Sequence, residues 1–163
     1  YWDKAGTEGG GCYTAGVLMY LMQSDYLHRF VIADVIAGQW AAPERESRIK
    51  QTAELDGKEI AIVVEQEPGS GGKESAEDTI RELAGYRVYA EKVTGAKEVR
   101  AEPYARQVES GNVSLLKRDW TQAFLSEHEL YPKSKYKDKV DAAGGAFNYL
   151  TNERTLGVRW LGK

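Results

Sequence analysis

Cysteine, histidine and long apolar runs are scarce in this chain. Cys12 is the single cysteine among 163 residues, so no internal disulfide can form and secretion has no support. The two histidines, His28 and His128, share no metal-ligand spacing, which argues against a zinc site. No apolar run approaches the ~20 residues of a membrane-spanning helix, and no signal peptide opens the chain. We therefore expect a protein that is neither secreted nor inserted in a membrane.

The rest of the composition is that of an ordinary folded domain. Hydrophobic residues make up 42% and charged residues 29%, as in typical globular proteins. At 163 residues the chain is long enough for one α/β domain with a sizeable core. The chain opens on Tyr1 directly before Trp2 and Asp3, without an initiator Met, and this favours a domain cut from a longer protein with a shortened first strand.

The charge is unevenly distributed along the chain. The net charge is −3, but residues 1–85 carry a net −7 and residues 86–140 a net +3. The densest positive cluster lies in the second of these segments and consists of Lys133, Lys135, Lys137 and Lys139. Attraction to phosphate depends on local patches rather than on the total charge, so this cluster is a candidate contact to a nucleic-acid backbone. A solvated lysine loop is the alternative interpretation.

Apolar patterns and turn residues predict a strand, a hairpin, and then alternating helices and strands. Two β-prone runs around the turn residues 23–25 predict an antiparallel hairpin over 13–36. Pro43 and Gly57 bracket a predicted helix, and the apolar run that ends at Glu65 predicts a buried strand. Further helices are predicted over 76–84, 99–110, 119–131 and 138–150, and short strands over 87–90 and 113–116. In the first of these helices Ile80 belongs to the predicted apolar stripe, and in the third Asp119 is a candidate cap. This order predicts a mixed sheet with helices on both faces, and with the tips of the first and fourth strands side by side.

Three carboxylates from distant parts of the chain stand at the ends of these predicted elements. Glu65 ends the buried strand, Asp3 ends the first strand, and Asp138 opens the last helix. A buried carboxylate is costly unless something pairs with it, and metal ions are common partners. Carboxylate oxygens suit Mg²⁺ or Mn²⁺, so a divalent-metal site is one interpretation. The alternatives are a turn residue at Asp3 and a helix cap formed by Asp138 with Asp141.

Other basic residues are further candidate contacts to a DNA backbone. Lys97 and Arg100 lie near the start of a predicted helix, where a solvated face is the alternative. Lys73 belongs to the glycine-rich segment 69–74, which we predict to be a flexible loop beside the metal site. That segment imitates a phosphate-binding loop, but glutamates occupy two of its four defining positions, so we do not expect nucleotide binding.

Taken together, the motifs resemble the C-terminal nuclease domain of the large terminase subunit of tailed phages. The matching segments, in order, are Asp3–Thr7, Tyr13–Val17, Val64–Lys73, Val93–Lys97, Arg100–Tyr104 and Asp138–Ala142. The resemblance covers residues 1–150 as one nuclease domain and leaves 151–163 as a C-terminal tail. It implies a ribonuclease H-like fold, with a mixed central sheet of an antiparallel hairpin plus parallel strands flanked by helices on both faces.

The resemblance also implies an activity and a set of site residues. The activity is endonucleolytic cutting of concatemeric viral DNA, with low sequence specificity, by two-metal-ion hydrolysis with Mg²⁺ or Mn²⁺. Asp3, Glu65 and Asp138 are the implied catalytic metal ligands, and Asp141 is an auxiliary ligand one helical turn on. Lys137 departs from the pattern, because the family often has an acid at that position.

The implied partners are double-stranded DNA, an N-terminal ATPase domain of the parent chain, the portal protein and the small terminase subunit. The implied place of action is the host cytoplasm during virus assembly. Two alternatives remain open: a non-catalytic module of the same fold that clamps DNA or docks on the portal, and another nuclease of the fold such as a junction resolvase. The gathered carboxylates count against a clamp, which gains nothing from negative charge next to DNA.

Overall fold

The computed structural model describes residues 1–5, 11–24 and 27–152. The predicted turn features at Gly6 and Asp25 and the tail from residue 153 onward lie outside the described residues. The strands are β1 (Trp2–Asp3), β2 (Thr14–Ser24), β3 (Leu27–Gly38), β4 (Ala61–Gln66), β5 (Arg87–Lys92) and β6 (Val113–Leu115). The helices are α1 (Ala42–Asp56), α2 (Ser70–Glu82), α3 (Lys97–Glu109), α4 (Thr121–Leu130) and α5 (Asp138–Thr151). This element order is the predicted one.

The strands form one mixed sheet in the order β5-β4-β1-β2-β3-β6. The pairs β1–β2 and β2–β3 are antiparallel, and the other three pairs are parallel. The predicted combination of an antiparallel hairpin with parallel strands is thereby confirmed. A register shift at Leu18/Met19 leaves Ala33 of β3 without a partner in β2. Because side chains alternate along a strand, this extra residue lets Ile32 and Val35 face the same core.

Helices cover both faces of the sheet, as predicted. On one face α5 packs against β2 with α3 and α4 beside it, and their core includes Tyr104, Phe124 and Phe147. On the other face α1 and α2 enclose a smaller core around Trp2 and Val64. No helix within the described ranges is long and apolar enough to cross a membrane.

The glycine-rich segment after β4 is part of a helix, so the prediction of a flexible loop there was wrong. Residues from Ser70 onward form the first turns of α2. Gly69 has φ +101°, a conformation that L side chains rarely adopt, and it redirects the chain from the strand into the helix. A Cβ at Gly72 would overlap the carbonyl of Glu67. These glycines therefore serve a tight strand-to-helix turn, which local sequence alone did not distinguish from a loop.

Two details of the predicted helices also differ. Asp119 does not cap α4: the capping position is Trp120, which makes no side-chain capping hydrogen bond within the described part of the chain. In α2, Ile80 is 37% exposed and Thr79 takes the buried position, because Thr79 hydrogen-bonds with Lys4 and Glu46. A buried polar network thus displaced an apolar residue from the expected stripe.

Two consecutive glycines allow α5 to lie close to its neighbours. A Cβ at Gly145 would overlap the ring of Tyr1, which is itself buried. A Cβ at Gly144 would lie 3.4 Å from the Cα of Ala101 in α3. This close approach of α5 to β1 and α3 brings the amino-terminal turn of α5 to the end of the central strands.

Candidate active site

Asp3 and Glu65 lie side by side at one end of the sheet centre. Trp2 pairs with Val64 in the parallel β1–β4 ladder, and the two acids are the next residues in each strand. Asp3 is 3% exposed and Glu65 is 5% exposed. The predicted adjacency of the first and fourth strands is therefore confirmed, and it places two buried carboxylates together.

Helix α5 adds two more buried carboxylates at this end of the sheet. Asp138 Oδ2 accepts a hydrogen bond of 3.0 Å from the backbone N–H of Tyr13. Asp141 is one turn further along α5, and neither of its carboxylate oxygens accepts a hydrogen bond from a described residue. Lys97 Nζ nevertheless lies 3.0 Å from Asp141 Oδ2 as an ion pair. Asp141 thus shares a cation with Asp3, whereas Asp138 is tied to the start of β2.

Two cations from α3 neutralise these acids. Lys97 Nζ donates to Asp3 Oδ2 at 2.9 Å while contacting Asp141. Arg100, three residues further along the helix, donates from two nitrogens to the two oxygens of Glu65, each at 3.1 Å. A hydrogen-bonded pair of this bidentate kind is both strong and orienting. The cluster is therefore one of buried carboxylates with α3 cations among them.

Burial perturbs the protonation of these acids. Burial raises the pKa of Asp3 to about 7, against the opposing charge of Lys97, and the Glu65 charge raises it further. Burial likewise raises the pKa of Asp141, again opposed by Lys97. Burial alone would lower the pKa of Lys97, but the charges of Asp3 and Asp141 outweigh it and raise that pKa. The charge of Lys97 therefore does not fully offset the burial of Asp3 and Asp141, and their protonated forms are favoured relative to free carboxyl groups.

The donor set suits a hard divalent cation. In the present geometry no three acidic, histidine or cysteine side chains of the described chain are arranged to hold a metal ion. The chemistry of the donors nevertheless fits, because Asp141 Oδ1 is buried without a hydrogen-bond partner among the described residues and the pKa values of Asp3 and Asp141 are raised. Carboxylate oxygens are the preferred ligands of Mg²⁺ and Mn²⁺. Positive charge is already present at the spot, supplied by Lys97 and Arg100.

Several neighbours of the cluster escaped the sequence analysis. Glu91 lies opposite Glu65 in the β4–β5 ladder, and burial raises its pKa. Tyr1 donates its hydroxyl to Glu65 Oε2 at 3.4 Å. Glu127 of α4 accepts hydrogen bonds from the first turn of α5. The strand alternation could have revealed Glu91, but no local pattern marks Glu127, whose partners are 12 and 13 residues away.

The predicted DNA-contacting lysines occupy different surroundings. Lys133 and Lys135 are exposed on the loop before α5. Lys137 pairs with Glu98 at 2.9 Å, close in sequence to Lys97. Lys139 turns away and pairs with Glu127 at 2.6 Å, its side chain only 15% exposed. The structure therefore leaves the first two lysines exposed and engages Lys139 in holding α4 to α5.

The ion pair described for Lys73 is not with the acid cluster, and the four acids do not line the cavity between β2 and β4. Lys73 is exposed on α2 and pairs with Glu77 at 3.5 Å. A cavity of about 350 Å³ lies between β2 and β4, next to Tyr1 and Trp2. Among the described residues that line it, none belongs to the four-acid cluster. Its lining is largely apolar, so we place the chemistry at the acids instead.

A mixed sheet with buried carboxylates at the ends of β1 and β4 and on α5 defines a ribonuclease H-like domain. The family model described as the terminase RNaseH-like domain matches residues 1–150, and the chain belongs to this family. No curated protein matches the chain. Family membership confirms the predicted fold and terminase relationship. It supports a nuclease-type domain, and it implies divalent metals, DNA and packaging partners in general terms.

Proposed function

We propose that this domain is the metal-dependent endodeoxyribonuclease of a viral DNA-packaging terminase, which cuts concatemeric DNA. The observation that carries the proposal is the convergence of Asp3, Glu65 and Asp141 on one end of the sheet, with Asp138 one helical turn away. Burying like charges together is destabilising, and clusters of this kind are therefore typical of functional sites. Phosphodiester hydrolysis supplies that function, because it needs carboxylates that hold divalent metals.

Asp3, Glu65, Asp138 and Asp141 would hold Mg²⁺ or Mn²⁺, two ions in the two-metal scheme. When bound, such ions lower the pKa of an attacking water and stabilise the leaving 3′ oxygen. The protein's own contribution is to orient the carboxylates. Arg100 fixes both oxygens of Glu65, and the Tyr13 backbone N–H fixes Oδ2 of Asp138. The burial of the acids keeps competing water away and strengthens the electrostatics inside the site.

The DNA substrate would be held through its backbone. Lys133, Lys135 and Lys137 lie on the segment that leads into α5, so they flank the end of the helix that carries Asp138. Backbone contacts position a duplex but carry no sequence information. Low sequence specificity would follow, and target choice would fall to the ATPase domain, the portal protein and the small terminase subunit in the host cytoplasm.

A plasmid-cleavage assay tests this proposal. We expect the domain to nick and linearise supercoiled plasmid with Mn²⁺ or Mg²⁺, and we expect EDTA or Glu65→Gln to abolish the cleavage. Glu59→Gln, on the loop before β4, is the matched control and should cleave like the wild type. Cleavage that survives Glu65→Gln would refute the assigned site. DNA binding without cleavage in the full-length chain would favour the clamp function instead.

A separate pair of variants tests which of the two acids of α5, Asp138 or Asp141, ligates the metal directly. Asp138→Asn and Asp141→Asn remove one charge each with little change in volume, and the amide oxygen introduced by Asp138→Asn can still accept the Tyr13 hydrogen bond. Loss of an outer partner of a metal ligand typically costs 10–100-fold, so a true ligand should lose about 100-fold or more. Equal and modest losses would contradict direct ligation by either acid.

A further inference from the structure

The ammonium group of Lys97 bridges two buried acids. Its Nζ lies 2.9 Å from Asp3 Oδ2 and 3.0 Å from Asp141 Oδ2. The side chains of these acids are 5% and 2% exposed, whereas the side chain of Lys97 is 38% exposed. The ammonium thus spans the acid pair, and the side chain that carries it is partly open to solvent.

We propose that Lys97 is an internal cation that holds the Asp3–Asp141 pair in the metal-free domain and is displaced when a divalent ion binds there. The inference rests on the proposed function, because it concerns the same carboxylates. An ammonium and a divalent cation both stabilise paired carboxylates by charge, but both cannot occupy the space between the same two oxygens. Metal binding therefore includes the loss of the Lys97 ion pairs.

The contrast with Arg100 indicates which cation leaves. Arg100 holds Glu65 through two nitrogens, its side chain is 21% exposed, and its Nε is buried without a partner among the described residues. A bidentate guanidinium is held in one geometry, whereas an ammonium on a flexible four-carbon stem can rotate into water. Lys97 also stands at the first position of α3, and its side chain is 38% exposed. It can move away without disturbing the pair between Arg100 and Glu65.

Two consequences of this arrangement can be measured. Without metal, removing Lys97 leaves two buried acids facing each other beside Glu65, so the domain should lose stability. With metal, the same removal eliminates a competitor, so binding should become tighter. These opposite effects separate a displaced cation from a lysine that helps to hold the metal, since removal of the latter would weaken metal binding.

The test is calorimetric titration of Mg²⁺ into four proteins: the wild type, Lys97→Met, Lys97→Gln and Lys50→Met. The titrations are made at pH 8, which is above the pKa of Asp3. Thermal unfolding of the same proteins is measured in EDTA. Lys50 is exposed on α1, on the opposite face of the sheet, and supplies the matched control. We expect Lys97→Met to unfold at a lower temperature in EDTA and to bind Mg²⁺ about fivefold more tightly, the upper end of what the loss of a partly exposed ion pair contributes. Lys50→Met should match the wild type in both measurements.

The outcomes separate this inference from the proposed function. Mg²⁺ binding that is unchanged or weaker in both Lys97 variants overturns the inference and leaves the metal site standing. If Mg²⁺ binds to none of the proteins, the metal site of the proposed function fails and the inference fails with it. Lys97→Gln keeps a polar side chain near the acids, so it supplies the comparison if Lys97→Met does not fold.

Discussion

Glu127 and Lys139 are joined twice, once through the backbone and once through the side chain. Glu127 Oε1 accepts a hydrogen bond of 2.7 Å from the Lys139 backbone N–H, and Oε2 pairs with Lys139 Nζ at 2.6 Å. Oε1 also accepts from the backbone N–H of Val140 at 3.3 Å. A carboxylate from α4 therefore satisfies free N–H groups at the start of α5 and complements the positive end of its dipole. This contact positions the helix turn that carries Asp138 and Asp141.

Replacing Glu127 should therefore loosen the site as well as the fold. We expect Glu127→Ala to lower the free energy of unfolding by about 2–3 kcal/mol, because buried N–H groups and a largely buried ammonium lose their partner. Urea unfolding measures this effect. Glu129→Ala, exposed on the same helix, is the control and should change stability by less than about 0.5 kcal/mol. A loss no larger in Glu127→Ala than in the control would contradict the capping role.

The two glycines of α5 should respond differently to the same substitution. Gly145→Ala places a methyl group against the buried ring of Tyr1, and overpacking of this kind typically costs about 1–3 kcal/mol. Gly144→Ala meets Ala101 at an ordinary van der Waals distance of 3.4 Å, so the gain in helix propensity of up to about 1 kcal/mol should prevail. Chemical denaturation of both variants measures the contrast. Equal effects would show that Tyr1 does not limit the approach of α5.

His128 should make stability depend on pH below neutrality. Phe124 O accepts a hydrogen bond of 2.8 Å from Nδ1, and Nε2 lies 3.1 Å from the Tyr104 hydroxyl, so the neutral ring is satisfied. Burial lowers the pKa of His128 below its ordinary 6.5. The unfolded chain therefore binds the proton more readily, and the contribution of His128 to stability is complete above pH 6.5 and declines as the pH falls below it.

The measurement compares unfolding free energies of the wild type and His128→Asn between pH 5 and pH 8. We expect the advantage of the wild type to shrink as the pH falls through 6.5 towards the folded-state pKa. Tyr104→Phe is the control: it removes the hydroxyl partner but leaves the titrating ring, so the pH dependence should persist. A wild-type advantage that is constant across this range would exclude a lowered pKa in the folded state.

The element order and the pairing of β1 with β4 were predictable from the sequence. Apolar runs of strand length, proline and glycine at helix ends, and right-handed crossovers leave few topologies to choose from. Once β1 and β4 are neighbours and parallel, Asp3 and Glu65 must lie at the same end of the sheet. Their proximity is a consequence of chain direction.

Local patterns failed where distant packing decided the outcome. The segment from Gly69 to Lys73 has the composition of a loop, yet it leads into the first turn of α2. Gly69 adopts a positive φ at the turn, and Gly72 leaves room for the carbonyl of Glu67. Thr79 is buried instead of Ile80, and its hydroxyl accepts a hydrogen bond from Lys4, which is 75 residues away in the chain. The second contact spans 75 residues, whereas the first belongs to a local strand-to-helix turn whose glycine-rich composition is also that of a loop.

The sequence by itself determined the element order, the mixed sheet and the adjacency of Asp3 and Glu65, since these follow from periodicity and strand direction. Only the tertiary structure decided how those acids are neutralised. Lys97 is 94 residues from Asp3 in the chain, and their contact exists because α3 packs beside α5 across the end of β1. Short-range patterns arise from neighbouring side chains, whereas a buried ion pair depends on where separate helices meet, and that is settled by packing of the whole core.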